Sequence, residues 1–118
     1  MNKREVGNNK EDMAYNYLIS KGYRVLNRNY RTRQGEIDLI ALDGECLCFF
    51  EVKYRKNEKS GFPEEAVSYN KMFKISRCTD HYLLTHQNVY YNSMRFDVIA
   101  ILGEELKHYE NAFNYIQR

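Results

Sequence analysis

The sequence predicts an α/β fold: a mixed β-sheet flanked by helices, in the order α-β-β-β-α-β, with an optional extra strand at the C-terminus. Two observations lead to this fold class. A segment with helical periodicity precedes three strand-like segments, and a longer helical segment separates the third of these from a fourth. A helix between two strands permits the right-handed crossover that joins parallel neighbours. We therefore expect a mixed sheet with one helix on each face.

The first helix is predicted for residues 10–22, KEDMAYNYLISKG. Ala14 and Leu18 mark an apolar stripe, and Gly22 suits the left-handed turn that ends many helices. One turn before Ala14, the stripe reaches Glu11. We therefore expect the Glu11 carboxylate to point inward or toward the rim of the core.

Four strand-like segments follow the first helix, and a fifth is weaker. The first covers residues 23–30, and Asp43-Gly44 is a strong hairpin signal between the second and the third. Residues 94–102, MRFDVIAIL, are almost all apolar, which is typical of an internal strand. Residues 105–113, ELKHYENAF, alternate less clearly and give the optional last strand.

The second helix is predicted to begin at the Pro63-Glu64-Glu65 segment, or at Ser68, and to end at His86. Its apolar stripe is expected to pack on the sheet and consists of Met72, Ile75, Thr79, Tyr82 and Leu83. Basic residues at three-residue spacing are expected to form a row on the same helix: Lys71, Lys74 and Arg77.

The length and composition of the chain predict one domain spanning residues 1–118. With 43% hydrophobic and 29% charged residues, the chain has the composition of a globular protein that buries a core without disulfides. An odd number of cysteines follows a charged N-terminal segment: Cys46, Cys48 and Cys78. We therefore expect free thiols and a cytoplasmic location. No apolar run approaches the roughly 18 residues of a membrane span.

The net charge is only +2, but basic residues are clustered. Residues 24–33, RVLNRNYRTR, hold four arginines and no acid, and residues 53–59 add further basic side chains. Such clusters favour polyanions through phosphate contacts and counterion release. A solvated charged loop is an alternative of about equal weight.

Four ionisable residues interrupt the apolar strands of the hairpin: Glu36, Asp38, Glu51 and Lys53. With a two-residue loop at Asp43-Gly44, Asp38 faces Phe49 across the hairpin and Glu51 becomes its diagonal neighbour. Directly opposed residues share a face, and so do residues two apart along one strand. We therefore expect the four charged side chains on one side of the sheet, with the two carboxylates of Asp38 and Glu51 close together.

Two carboxylates this close repel each other, which raises the pKa of one of them. A divalent cation reverses that balance, and Mg²⁺ prefers one or two carboxylates completed by waters and phosphate. Lys53 would add a positive charge that holds a water or offsets phosphate charge. The pattern is typical of metal-assisted phosphodiester hydrolysis. The alternative is an exposed Glu51–Lys53 salt bridge without chemical function.

Several ordered motifs make the sequence similar to a known family. GEIDLIA at 35–41, FFEVKYR at 49–55, GFPEEAV at 61–67 and RFDVIAI at 95–101 resemble the YraN-like family of small, uncharacterised bacterial proteins. That family is assigned to the restriction-endonuclease-like superfamily, which is named for its PD-(D/E)-x-K motif and is related to archaeal Holliday junction resolvases. The resemblance implies a restriction-endonuclease-like core in a single endonuclease-like domain.

The resemblance also implies roles for individual residues. Asp38 and Glu51 match the metal ligands, and Lys53 matches the motif lysine. Glu11 matches an acidic position on the first helix of many resolvase-like members, and Lys71 matches a basic position on the second helix. Two departures concern the residues before the acids: Ile37 stands where the motif name has proline, and Lys10 stands where YraN-like sequences usually have glycine.

The function predicted from these patterns is that of a Mg²⁺- or Mn²⁺-dependent nuclease acting on DNA, with branched or single-stranded structures among its substrates. The predicted catalytic residues are Asp38, Glu51, Lys53 and Glu11. The predicted nucleic-acid contacts are Arg28, Arg31, Arg33, Arg55 and Lys71. A nucleic-acid-binding module with little or no catalysis is the main alternative, and a protein-interaction scaffold is a weaker one. A homodimer is compatible with cleavage of two strands, but no residue pattern fixes it.

Other polar residues in apolar segments favour structural roles. Asp97, beside Arg95 in the fourth strand, is interpreted as a member of an ion pair rather than as support for the site. Cys46 and Cys48 share a strand face but lack the further ligands of a zinc site, so we interpret them as small core residues. The histidines have no partner nucleophile, and we expect them at the surface or at helix ends: His81, His86 and His108.

Overall fold

The computed structural model describes residues 3–56, 61–63 and 66–118, with side chains described from residue 10 onward. Two helices and five strands occur in the predicted order, including the extra C-terminal strand. They are α1 (Lys3–Ser20), β1 (Arg24–Arg31), β2 (Glu36–Asp43), β3 (Cys46–Arg55), α2 (Tyr69–Thr85), β4 (Ser93–Leu102) and β5 (Glu105–Phe113). The predicted α/β class is therefore confirmed.

All five strands form one mixed sheet in the order β1-β2-β3-β4-β5. Strands β3 and β4 are parallel, whereas every other neighbouring pair is antiparallel. The parallel pair is joined through α2, since a parallel connection needs a long crossover. The nearly apolar β4 is internal, as its composition predicts.

The two helices cover opposite faces of the sheet. Ala14 and Leu18 of α1 pack in an apolar cluster that includes Leu39 of β2. Ile75 of α2 packs in a second cluster that includes Ile40, the next residue of the same strand. Because successive strand residues point to opposite faces, the two clusters lie on either side of the sheet. No helix in the described part of the chain is long and apolar enough to cross a membrane.

The helix ends agree with the sequence signals except at the start of α1. That helix begins at Lys3, seven residues before the prediction, and it ends before Gly22, whose φ is 88°. Helix α2 begins after Ser68, whose hydroxyl accepts a hydrogen bond from the Lys71 backbone nitrogen. Ser68 is thus the N-cap, and His86 follows the last turn. The acidic pair of the alternative start, at 64 and 65, lies outside the described residues.

The β2–β3 hairpin has a different turn from the predicted one. Asp43 pairs with Cys46, so the two turn residues are Gly44 and Glu45 rather than Asp43 and Gly44. Gly44 has a φ of 61°, which a turn with glycine at its first central position requires. The register is therefore displaced by two residues. An even displacement leaves every side chain on its predicted face but brings Asp38 into line with Glu51 instead of with Phe49.

Candidate metal centre

The β2 and β3 strands stop pairing where the predicted acids lie. Leu39 and Phe50 form the last pair of their ladder, whereas β2 continues to pair with β1 as far as Glu36. Beyond that point, the Asp38 Oδ2 atom accepts a 2.7 Å hydrogen bond from the Val52 backbone nitrogen. The carboxylate thus satisfies a backbone amide at the point where the two strands separate. We call this region, from Asp38 to Val52 across the hairpin, the strand fork.

Two cavities meet at the strand fork, one on each side of the sheet. The α2-side cavity has a volume of about 240 Å³ and is lined by Gln34, Gly35, Glu36, Asp38, Glu51, Lys71, Lys74 and Ile75. The α1-side cavity has a volume of about 160 Å³ and is lined by Lys10, Glu11, Asp38, Val52 and Tyr54. Asp38 lines both cavities. It therefore connects the residues that each helix contributes.

The Asp38 carboxyl is in an unfavourable electrostatic environment. Its burial, reinforced by the charges of Glu51 and Glu36, raises its pKa from 3.8 to about 7. The Val52 hydrogen bond and the Lys71 charge oppose this rise but do not cancel it. Asp38 itself is partly buried, and Glu51 is buried, with 8% of its surface exposed. The structure therefore brings Asp38 and Glu51 into one cavity, with the repulsion that the sequence pattern predicts.

This donor set fits a hard divalent cation. Mg²⁺ is typically bound by one or two carboxylates, with waters and substrate oxygens completing its octahedral shell. Among the described residues, no group of three or more His, Cys, Asp or Glu side chains is arranged to hold a metal ion. A cation here would therefore be held by the carboxylates of Asp38 and Glu51 and would keep several waters.

Lys71 of α2 supplies a positive charge directly at the candidate centre. Its Nζ atom lies 3.0 Å from the Glu51 Oε1 atom, and its side chain is 51% exposed. Burial lowers the pKa of Lys71, but the hydrogen bond and charge of Glu51, with Asp38 and Glu36, outweigh it and raise the pKa above its usual value. The residue predicted to contact nucleic acid is thus paired with a predicted metal ligand.

Lys53, the motif lysine, lies two residues beyond Glu51 on β3. Its Nζ atom donates a hydrogen bond to the Ala66 backbone carbonyl, in the segment that leads into α2. Lys53 lines neither cavity of the strand fork. The structure therefore places it next to the candidate centre, with its ammonium group directed to the chain before α2.

Glu11 approaches the strand fork from the other face of the sheet. It lines the α1-side cavity together with Asp38, and its Oε2 atom accepts a 3.0 Å hydrogen bond from the Asn29 side chain. Lys10, at the departure from the family pattern, lines the same cavity and donates a 2.7 Å hydrogen bond to the Gly103 carbonyl. Asp38 thus shares the α1-side cavity with Glu11 and the α2-side cavity with Glu51.

The predicted nucleic-acid contacts differ in their surroundings. Arg28 forms a 2.6 Å ion pair with Asp12, and Arg31, which is 77% exposed, pairs with Glu36 at 3.4 Å. Arg33 is exposed in the loop between β1 and β2. Arg55 is exposed at the end of β3. Among the predicted contacts, Arg28, Arg31 and Lys71 are therefore paired with acids of the chain.

The predicted basic row on α2 is wrong at its third position. Arg77 is only 3% exposed and lies against the rings of Phe73 and Tyr115. It donates a hydrogen bond to the Ile116 carbonyl, so it holds the C-terminal segment onto α2. The row is therefore reduced to Lys71 and Lys74, both at the α2-side cavity.

Asp97 belongs to a separate buried network on the α1 side of β4. Its carboxylate is fully buried and accepts hydrogen bonds from Arg95 Nε at 3.1 Å and from the Asn111 backbone nitrogen at 2.9 Å. The His108 Nε2 atom lies 2.8 Å from it. This supports the structural interpretation of Asp97. The prediction of a surface or helix-end position is wrong for His108, because the buried Asp97 holds it inside the fold.

Of the two cysteines interpreted as core residues, Cys48 is buried and Cys46 is partly buried at the edge of the α1-side apolar cluster. Cys48 and Cys78 are buried, and all three are free thiols. Burial raises the pKa of Cys48 and of Cys78, which keeps both thiols protonated and unreactive. The sulfur atoms of Cys46 and Cys48 lie 3.9 Å apart on one strand face.

Sequence reasoning did not identify Asn29 and Lys74 as site residues. Lys74 lines the α2-side cavity, and Asn29 binds Glu11. Asn29 lies in a strand among basic residues, and the alternation of apolar and polar residues along that strand gives no sign that Asn29 belongs to the site. Lys74 belongs to the predicted basic row, and that spacing was the one available signal.

The fold and site define a small mixed α/β protein with a partly buried and a buried carboxylate at a strand fork, flanked by a helix lysine. The profile of the uncharacterised protein family UPF0102 matches residues 10–101, and the chain belongs to this family, the YraN-like family that its motifs resemble. A UPF0102 protein of Lachnoclostridium phytofermentans is 46% identical over 97% of each chain. One from Thermodesulfovibrio yellowstonii is 43% identical over 92% of this chain and 96% of its own. One from Clostridioides difficile is 43% identical over 96% of this chain and 100% of its own.

Proposed function

We propose that this protein is a Mg²⁺- or Mn²⁺-dependent nuclease that hydrolyses phosphodiester bonds in DNA, with branched or single-stranded structures among its substrates. The observation that supports this most directly is the pair of carboxylates in one cavity, the partly buried Asp38 and the buried Glu51. Such a pair is costly unless a cation compensates it. The strand order and the Asp38, Glu51 and Lys53 pattern also support membership of the restriction-endonuclease-like superfamily.

The cation, when bound, would supply a more acidic water and a positive charge to stabilise the developing charge on the phosphate. Asp38 and Glu51 would hold it, with Asp38 fixed by its hydrogen bond from the Val52 backbone nitrogen. This bond leaves the other Asp38 oxygen for a ligand. Two carboxylates held by rigid strands provide the fixed geometry that phosphoryl transfer requires.

The lysines at the centre would act on the substrate rather than on the cation. Lys53 carries its charge on a flexible side chain. To act, its ammonium group would release the Ala66 carbonyl and bind a substrate phosphate or a water instead. Lys71 would exchange Glu51 for a phosphate oxygen in the same way. Arg33 and Arg55, both exposed, would contact the nucleic-acid backbone farther out. Glu11 would assist from the α1-side cavity.

The direct test is cleavage of end-labelled four-way junction, flap, single-stranded and duplex DNA in Mn²⁺ and in EDTA. We expect metal-dependent products from the wild type and a loss of about 10²-fold or more in the D38N and E51Q variants. The E105Q variant is the control, because Glu105 is an exposed acid on β5. The absence of metal-dependent cleavage of all four substrates, or equal cleavage by D38N, would contradict the proposal.

A nucleic-acid-binding module with little or no catalysis is the second candidate. It is favoured by one observation: Lys71 and Lys53 both engage groups of the chain itself, Glu51 and the Ala66 carbonyl. Calorimetry separates the two functions. The module predicts no Mn²⁺ binding, together with salt-dependent DNA affinity that falls when Arg33 is replaced by alanine. Metal binding to the wild type but not to D38N would favour the nuclease.

A further inference from the structure

Asn29, in the middle of β1, has an unusual backbone conformation beside the strand fork. Its φ is 53°, in the left-handed region that non-glycine residues rarely adopt. Arg28 pairs with Leu39 and Tyr30 with Ile37, so Asn29 lies across from Asp38. Such strained residues persist where the surrounding structure holds them, and they concentrate at functional sites.

One polar atom of the Asn29 side chain has a hydrogen-bond partner, and the other has none. Its Nδ2 atom donates a 3.0 Å hydrogen bond to the Glu11 Oε2 atom, while its Oδ1 atom is buried without a hydrogen-bond partner. Rotating the amide would not help, because an ionised carboxylate only accepts and must face the NH₂ group. A buried acceptor that the chain leaves unpaired costs stability, so this side chain is not placed there for stability alone.

From this geometry we propose that Asn29 is a positioning residue of the metal centre. Its amide NH₂ group holds the Glu11 carboxylate at the α1-side cavity, beside Asp38. Glu11 and Asn29 thereby extend the centre across the sheet. The inference rests on the proposed function, because it assumes that a cation binds at Asp38 and Glu51.

A second asparagine provides a matched comparison. Asn111 in β5 has a φ of 52°, almost the same conformation, and these two are the positive-φ non-glycine residues among the described part of the chain. Asn111 is exposed, and its backbone nitrogen serves the structural Asp97 network. A glycine accepts such a φ without strain, so N29G and N111G remove a side chain at equal backbone geometry.

The experiment measures Mn²⁺ affinity of the full chain by calorimetry for the wild type, N29G, N111G, E11A and the N29G/E11A double variant. Groups that orient metal ligands typically contribute about 10- to 100-fold in metal affinity. We expect N29G to bind Mn²⁺ about 10-fold more weakly and N111G to bind like the wild type. Because Asn29 acts through Glu11, the double variant should lose less than the product of the two single losses.

Two further readouts separate positioning from folding. DNA affinity in EDTA should be the same for N29G and N111G, since it does not depend on the cation. The thermal midpoint in EDTA establishes that both variants are folded at the temperature of the titration, so that a weaker Mn²⁺ affinity of N29G reports on the centre. An N29G affinity for Mn²⁺ equal to that of N111G, or independent and fully multiplicative effects of N29G and E11A, would overturn the inference alone. A wild type that binds no Mn²⁺ would overturn the proposed function together with it.

Discussion

Replacing Asp38 with asparagine should stabilise the metal-free protein, and the gain should depend on pH. Asp38 has a folded-state pKa of about 7, raised from 3.8 by burial and by Glu51. A carboxyl with a raised pKa binds more protons in the folded than in the unfolded state between these values. The folded protein therefore loses stability as the pH rises from about 4 to about 7. Asparagine removes this loss because it has no charge to desolvate.

The size of the gain follows from the shift in pKa. A rise from 3.8 to about 7 is about three pH units, and each unit is worth about 1.36 kcal/mol, so the maximum penalty is about 4 kcal/mol. Relaxation and water entry lower the effective cost of buried charges. We therefore expect D38N to gain roughly 2 to 4 kcal/mol at pH 8 and close to nothing at pH 4. The substituted asparagine keeps a side-chain oxygen to accept the hydrogen bond from the Val52 nitrogen.

The assay is urea unfolding in EDTA at several pH values between 4 and 8, with the free energy of unfolding compared between D38N and the wild type. D12N is the control, because Asp12 is an exposed acid paired with Arg28, and its change should stay within about 1 kcal/mol at all pH values. A D38N protein that is no more stable than the wild type at pH 8, or that gains equally at pH 4, would refute the argument that Asp38 is buried at an electrostatic cost.

Two further predictions concern charged partners. K71M should bind Mn²⁺ about 5-fold more tightly by calorimetry than the K74M control, because a cation no longer displaces a half-exposed ion pair worth about 1 kcal/mol. Equal affinities would show that Lys71 does not compete with the metal. D97A should lower the free energy of unfolding by about 3 to 5 kcal/mol in urea, since it removes the buried carboxylate that the partly buried Arg95 and the His108 ring contact. A loss below about 1 kcal/mol would exclude this role.

The fold was predictable because its signals are local and agree with one another. The apolar stripe of α1, the apolar β4 and the long helix between β3 and β4 each lead to the same mixed sheet. The start of α1 was not predictable from the stripe, because the mostly polar residues 3–9, KREVGNN, give no amphipathic pattern. The polar first half of α1 therefore becomes visible only in the structure, where the apolar second half packs on the sheet.

The hairpin shows which part of a register argument is robust. Asp43-Gly44 and Gly44-Glu45 are both acceptable two-residue turns, and the sequence alone does not choose between them. The two alternatives differ by two residues in pairing, so both place Asp38 and Glu51 on one face. The face of the sheet on which each side chain lies was therefore predictable, whereas its directly opposed partner on the other strand was not.

The ion pairs of the site were not predictable, because they depend on how α2 is placed on the sheet. Lys71 reaches Glu51 because α2 lies over the strand fork, where Lys71, Lys74 and the two carboxylates line one cavity. Helical spacing put Arg77 in the same row as Lys71, yet the C-terminal segment covers Arg77. Spacing along one helix identifies a face, and tertiary packing decides what covers it.

The strand fork explains how residues from both faces of a sheet can serve one centre. In a regular ladder Asp38 would face one side only, and Glu11 on the opposite helix could not reach its surroundings. Because β2 leaves β3 after Leu39, Asp38 lines both cavities, and the distorted Asn29 on the other neighbouring strand holds Glu11 there. Restoring a regular ladder would pair the Val52 amide with backbone rather than with the Asp38 carboxylate and would close one of the two cavities. The separation of the strands is therefore the structural condition on which the candidate centre depends.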